Sequence, residues 1–196
     1  EHMNTSDKKA DSKIKAYEIA GILNLSKESS LGNYSQLGID ELRGLAKDIL
    51  SAGATIIDIG AEATNPQSNF ISSEREWGLL EPVISNIRDL GFISIDTYKS
   101  ETAELALRAG VNMINDISGL RHSADMAKIV ADYAASIVIM HSYSDPKLPH
   151  ARPKEIEDSK LISRVVEFLK RQTDYALSCG ISESKIILDP GMGGFI

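Results

Sequence analysis

A single cysteine, Cys179, is too little for a disulfide framework or a thiolate metal cluster. Aromatic residues are sparse at 6%, and no apolar run approaches the roughly 20 residues that span a bilayer. Positive charge is also in short supply, with 21 Lys and Arg against 28 Asp and Glu and a net charge of −7. That balance argues against a nucleic-acid backbone or an anionic membrane surface as the main partner, because both select basic surfaces. A small anionic ligand stays open, since local donors or a bound metal can overrule net charge. Repeats and low-complexity stretches are lacking too. What is present is 196 residues with 42% hydrophobic and 25% charged side chains, enough for one well-buried core. The chain reads as cytoplasmic.

Glu1-His2-Met3 reads as a scar left by cloning, ahead of a polar tail, so residues 1–12 are expected to be a disordered tail and 13–196 one domain. Six short apolar runs then each end in a side chain able to hydrogen-bond or ligate: Ile19–Asn24, Thr55–Asp58, Phe92–Asp96, Met113–Asn115, Ser136–His141 and Lys185–Asp189. Between them lie segments with helical spacing. Asp40 suits a cap for a helix carrying Leu42, Leu45, Ala46, Ile49 and Leu50, which Gly53 ends. Ser73 and Glu76 suit a capping box for the next, with Trp77, Leu80, Ile84 and Ile87 on one face and a kink expected at Pro82. Ser100 opens a third that stops at Gly110, and residues 125–135 supply a fourth. The longest is expected over Ser159–Cys179 with Ile162, Val165, Val166, Leu169 and Ala176 inward. The stretch Ser144–Asp158, with three prolines, is the one long loop.

Strand and helix alternating in this way gather the polar strand ends on one face of a parallel sheet, where ligands bind. Two architectures fit. A doubly wound sheet needs a reversal of strand order that no feature of the sequence locates. A (β/α)8 TIM barrel takes about 250 residues, so this chain would supply about six of its strands and be incomplete at its C-terminal end.

Asp96, Asn115 and Asp189 close apolar strands. A buried carboxylate or carboxamide is costly unless hydrogen-bonded, so several of them facing one cavity imply a ligand rich in N–H donors, such as a fused heterocycle with an amino group. Taken singly, each is as well explained by a helix cap or a turn, as Asp58 and Asp116 illustrate. His141, alone at a strand end, reads as a hydrogen-bonded structural residue. A metal hydrolase would need paired histidines or bridging carboxylates, and the sequence offers only His141 at a strand end.

The segments Gly21-Ile22-Leu23-Asn24, Ile57-Asp58-Ile59-Gly60-Ala61-Glu62-Ala63-Thr64-Asn65-Pro66, Ser94-Ile95-Asp96-Thr97, Asn115-Asp116-Ile117-Ser118-Gly119, Val138-Ile139-Met140-His141 and Ile187-Leu188-Asp189-Pro190-Gly191-Met192-Gly193, in this order, resemble dihydropteroate synthase. Met140-His141-Ser142 and Asp189-Pro190-Gly191-Met192-Gly193 resemble its sulfonamide-resistance branch. The resemblance implies the barrel, and a transferase of folate biosynthesis that joins 6-hydroxymethyl-7,8-dihydropterin pyrophosphate to para-aminobenzoate with loss of pyrophosphate. It places Asp96, Asn115 and Asp189 on pterin-binding positions, with Asp96 also stabilising the cation-like transition state. Met140 and Ile117 fall on positions that pack on the pterin, though plain core packing explains them equally well. Asp58 and Thr64 complete the implied substrate contacts. Asn24 matches a Mg²⁺ contact, and equally suits a turn. The resemblance also allows a homodimer of the full-length form.

Departures from the family pattern are as definite. Its Thr-Pro-Asp-Ser-Phe after the first strand is here Ser26-Lys27-Glu28-Ser29-Ser30, and its Ser-Thr-Arg-Pro is Ala63-Thr64-Asn65-Pro66, with an amide in place of a cation. The family's lysine and arginine on the seventh and eighth strands have no counterpart. A pterin-binding homologue or module without synthase activity is therefore a second reading, and a methyl-folate-binding methyltransferase domain a third.

Overall fold

The computed structural model describes residues 17–26, 34, 36–62, 70–143 and 158–192. The expected tail over 1–12, the long loop after Tyr143, and Thr64 and Asn65 lie outside the described residues.

Six strands form one parallel sheet: β1 (Ala20–Asn24), β2 (Ile56–Gly60), β3 (Phe92–Asp96), β4 (Met113–Asp116), β5 (Ser136–Met140) and β6 (Ile186–Asp189). They are joined by α1 (Ile39–Ser51), α2 (Ser73–Ile87), α3 (Ser100–Arg108), α4 (Met126–Asp132) and α5 (Leu161–Ser178). Each strand pairs in parallel with the next, in the order β1-β2-β3-β4-β5-β6. Strand order never reverses, which removes the doubly wound alternative and leaves successive β/α units of a (β/α)8 barrel wall.

Side chains alternate across a strand, so the sheet has two faces. On the outer face Leu23, Ile57, Ile59, Ile93, Ile95, Ile114, Ile137 and Ile139 are fully buried and join Leu42 and Ala46 of α1, Leu80, Ile84 and Ile87 of α2, and Met126 and Val130 of α4 in one core. The inner face carries the other set. Because β1 and β6 are not paired, that face is open, and Ile22, Phe92 and Ile187 on it are 47%, 37% and 44% exposed.

Local signals differ from the expected ones in instructive ways. The first helix is entered at Gly38, whose N–H donates to Glu41 Oε2 at 2.7 Å, so the capping residue is not Asp40. The second is capped by Ser72, which accepts from the Arg75 N–H, one residue ahead of the expected Ser73. It runs unbroken through Pro82. On α5 only Phe168 and Ala176 are buried. Ile162 and Val166, expected inward, are 79% and 60% exposed. Their apolar spacing marks a face of the helix, but no described element packs against it.

Candidate functional site

Register arranges the inner face in rows. Asn24, Gly60, Asp96, Asn115, Val138 and Ile187 form one row across all six strands. One step towards the C-terminal ends, Met140 pairs with Asp189, and one step the other way lie Ile22, Asp58, Ser94, Met113 and Ser136. Asp96 and Asn115 are thus side by side, whereas Asp189 stands one row higher and two strands further along.

Asp58 and Asn115 are joined directly. The Asn115 amide donates to Asp58 Oδ2 at 3.1 Å, while Asp58 Oδ1 is buried without a hydrogen-bond partner. Asp58 therefore does not cap a helix, one of the two roles open to it from sequence. Asp116 does serve a turn: it points to the outer face and accepts from the N–H groups of Ser118 and Leu120, both at 2.8 Å. Burial pushes the Asp58 carboxyl up, and the neighbouring Ser94 and Asn115 pull the other way. Ser94 Oγ makes no hydrogen bond of good geometry, so Asn115 is the contact that counts. Asp96 is held well above the ordinary aspartate range, by burial first and then by the charges of Asp58, Glu76, Asp116 and Glu62. A carboxyl so placed gains from any guest that brings N–H donors or positive charge.

Asp189 and Asn24 are partly committed locally. Asp189 Oδ1 accepts from the Gly191 N–H at 2.8 Å, in a turn where Gly191 has φ +72° and a Cβ would stand 1.9 Å from the His141 carbonyl. Asn24 Oδ1 accepts from the Ser26 N–H at 2.8 Å, the turn-forming role. No group of three His, Cys, Asp or Glu among the described residues can hold a metal ion. The described residues therefore do not build a magnesium site by themselves, and Asn24 offers one remaining lone pair.

Met140 and Ile117 are buried and pack together, with Tyr98 as the third member of their cluster. Tyr98 is a buried aromatic beside them that sequence reading passed over. His141 is 2% exposed, with the rings of Tyr143 and Phe168 edge-on at 4.6 and 5.1 Å. Burial lowers its pKa and the Pro190 carbonyl opposes this, so a structural place suits it. Its Nδ1 has no partner.

The sequence reading also missed a buried ionic network behind Asp96. Lys99 Nζ lies 2.7 Å from Glu62 Oε2 and 3.3 Å from Glu76 Oε1, and all three residues are buried. The only available signal was Tyr98-Lys99 directly after Asp96-Thr97, and pairing across three elements is invisible in a linear sequence.

Two recessed cavities lie away from the inner face, one between α1 and α2 and one between the exit of β5 and α5. The acceptor rows line neither cavity, and β1 and β6, the edge strands of the sheet, do not pair with one another.

Comparison with known proteins agrees with this arrangement. The sequence profile of the family "Pterin binding enzyme" matches residues 20–195. Dihydropteroate synthase of Bacillus subtilis is 35% identical over 177 residues, covering 89% of this chain and 59% of the relative. The crystal structure of dihydropteroate synthase from Clostridium difficile in the presence of pteroic acid is 36% identical with a TM-score of 0.79, covering 91% of this chain and 65% of that one. That from Anaplasma phagocytophilum with bound 6-hydroxymethylpterin-monophosphate is 34% identical with a TM-score of 0.76, covering 90% and 66%. The chain spans about three fifths of the length of the curated relative. With the profile covering nearly the whole folded region and the strand-end residues ranged along one inner face, the chain belongs to the pterin-binding enzyme family.

Proposed function

We propose that this chain carries the pterin side of a dihydropteroate synthase. The reaction is the condensation of 6-hydroxymethyl-7,8-dihydropterin pyrophosphate with para-aminobenzoate. The aminobenzoate nitrogen forms a bond to the pterin methylene carbon, the bond from that carbon to the pyrophosphate oxygen breaks, pyrophosphate leaves with the electron pair, and the amine loses a proton. The observation that carries the reading is the acceptor set on the inner face: Asp96 beside Asn115 in one row, with Asp58 Oδ1 buried and unpartnered beneath them.

In this reading Asp96, Asn115 and Asp58 meet the amino group and ring nitrogens of the pterin, and Asp189 approaches from the row above with its second oxygen. Met140, Ile117 and Tyr98 supply the apolar surface for the flat ring. Asp96 also faces positive charge that develops on the methylene as the leaving group departs. The resemblance adds Thr64 as a further substrate contact. Mg²⁺, where it is used, would take the free lone pair of Asn24 together with diphosphate oxygens and water. Titration calorimetry with 6-hydroxymethylpterin tests the binding step, and formation of dihydropteroate tests the reaction. Heat of binding below detection at high protein concentration would refute the site.

One observation favours a second reading, a pterin binder without synthase activity. Among the described inner-face residues there is no Lys or Arg to meet a diphosphate, and the buried Lys99 is held by Glu62 and Glu76. Binding of 6-hydroxymethylpterin with no added affinity for its pyrophosphate ester, with or without Mg²⁺, would select this reading.

A further inference from the structure

Glu62 follows β2 by two residues and is 6% exposed. Its Oε1 accepts a short hydrogen bond from the Tyr98 hydroxyl, and its Oε2 accepts from Lys99 Nζ at 2.7 Å and from the Ile71 backbone N–H at 3.1 Å. Lys99 is shared with Glu76 of α2 at 3.3 Å, whose Oε2 accepts from the hydroxyls of Thr97 at 3.0 Å and Thr102 at 2.6 Å. One carboxylate thus joins the exit of β2, the exit of β3 and the approach to α2. Tyr98, two residues beyond Asp96, is the group it orients into the cluster with Met140 and Ile117.

Resting on the reading above, we infer that Glu62 is a positioning residue of the pterin site, which fixes the Tyr98 ring and supplies part of the negative field in which Asp96 meets its guest. Two carboxylates sharing one ammonium leave the network with a net negative charge beside Asp96. The groups that surround Asp96 are Asp58 on β2, Asp116 and Asn115 on β4, Glu76 on α2, Glu62 after β2, and Tyr98 and Lys99 after β3, with Asn24 beyond Gly60 and His122 edge-on to Tyr98. The four carboxylates all disfavour ionisation of Asp96. Removing the charge of Glu62 therefore lets Asp96 ionise more readily.

Glu62→Gln tests this with little disturbance. The amide oxygen can accept from Lys99 and Ile71, its NH₂ can donate to Tyr98 Oη, and Lys99 keeps Glu76 as a counter-ion. Affinity for 6-hydroxymethylpterin is measured by calorimetry across pH for the wild type, E62Q and Glu62→Ala. The wild type is expected to lose affinity as Asp96 takes up its proton, and E62Q to bind with this acid limb moved to lower pH. E62A is expected to bind at least about tenfold more weakly at pH values above the acid limb, by analogy with the loss of a charged hydrogen-bonding group. Amide exchange at Ile71 should also become faster in E62A while Ile95, inside β3, stays protected. An E62Q profile superimposable on that of the wild type, or an E62A protein with unchanged affinity, overturns the inference and leaves the site reading intact. A wild-type protein that binds no pterin at any pH overturns the site reading and this inference with it.

Discussion

Replacing Asp96 by Asn separates binding from stability, because the two should move in opposite directions. The carboxyl of Asp96 is held well above its ordinary range by burial and by the charges of Asp58, Glu76, Asp116 and Glu62. An acid whose pKa is higher in the folded than in the unfolded chain makes the folded state hold the extra proton. Stability then declines as pH rises from the ordinary aspartate value through the folded one. Asn carries no such charge, so Asp96→Asn should unfold at the same temperature as the wild type or higher at neutral pH, and the difference should shrink towards acid. Binding should fall instead. A hydrogen bond to a charged acceptor contributes about 1.5–3 kcal/mol, so losing one costs roughly 10–150-fold in Kd for 6-hydroxymethylpterin. Calorimetric titration and a thermal melt at neutral and acid pH read both quantities. An unchanged Kd removes Asp96 from the site, and a large drop in Tm shows instead that the carboxylate holds the fold together.

Three further perturbations probe the surroundings. Lys99→Met leaves Glu62 and Glu76 buried without their cation, and breaking such a pair costs about 3–5 kcal/mol; the loss should lessen in acid, where the two carboxyls take up protons, and urea denaturation at two pH values decides it. Gly191→Ala places a methyl 1.9 Å from the His141 carbonyl at φ +72°, so a loss of at least about 2 kcal/mol is expected from denaturation midpoints, and a neutral result would mean that the turn at Asp189 shifts freely. Gly60→Ala meets only ordinary contacts, 3.6 Å to Asp96 Oδ2 and 3.8 Å to Asn24 Nδ2, so Tm should hold. Its methyl enters the row between those side chains and should weaken pterin binding by about 1–3 kcal/mol, roughly 5–150-fold, whereas undiminished affinity would show that the guest does not reach this row.

The parts of the fold that could be read from sequence are those set by short-range periodicity. Ile57 and Ile59, or Ile93 and Ile95, flank polar inner positions and report two faces directly, so all six strands fall within two residues of their expected ends. Capping was harder. Gly38 and Ser72 were overlooked because neighbouring Asp40 and Ser73 have equally suitable side chains, and only backbone geometry chooses between them. The inward stripe expected on α5 failed at Ile162 and Val166 because an apolar spacing shows that a face exists and not what covers it. At the site, Asp96, Asn115 and Asp58 were legible as strand-end polar groups, whereas the direct bond from Asn115 to Asp58 depends on a register offset that no single strand encodes. Glu62, Glu76 and Lys99 look like ordinary surface charges in sequence. They are buried because the exits of β2 and β3 meet the first turn of α2.

An account of hydrogen-bonding capacity on the inner face shows what kind of guest it can take. Asn24 Oδ1 and Asp189 Oδ1 each already accept a backbone N–H, and the Asn115 amide already donates to Asp58. The ionisable groups left over are acceptors, Asp58 Oδ1, the Asp96 carboxylate and the second oxygen of Asp189, and the donors left over are neutral: the Ser94 hydroxyl and amide N–H groups of Asn24 and Asn115. No inner-face cation among the described residues answers them, and Lys99 is turned towards Glu62 and Glu76. The carboxylates are therefore answered most fully by a guest that brings its own N–H donors or positive charge. A neutral flat heterocycle with an amino group and ring N–H satisfies this surface, and positive charge appearing on its side chain is further favoured by the same carboxylates. A diphosphate does the reverse, since each added negative charge meets Asp58 and Asp96 with no cation between. In the proposed reading this acceptor surface suits a pterin and a cation-like centre on it, while holding a departing diphosphate calls for positive groups contributed from elsewhere than the described inner face.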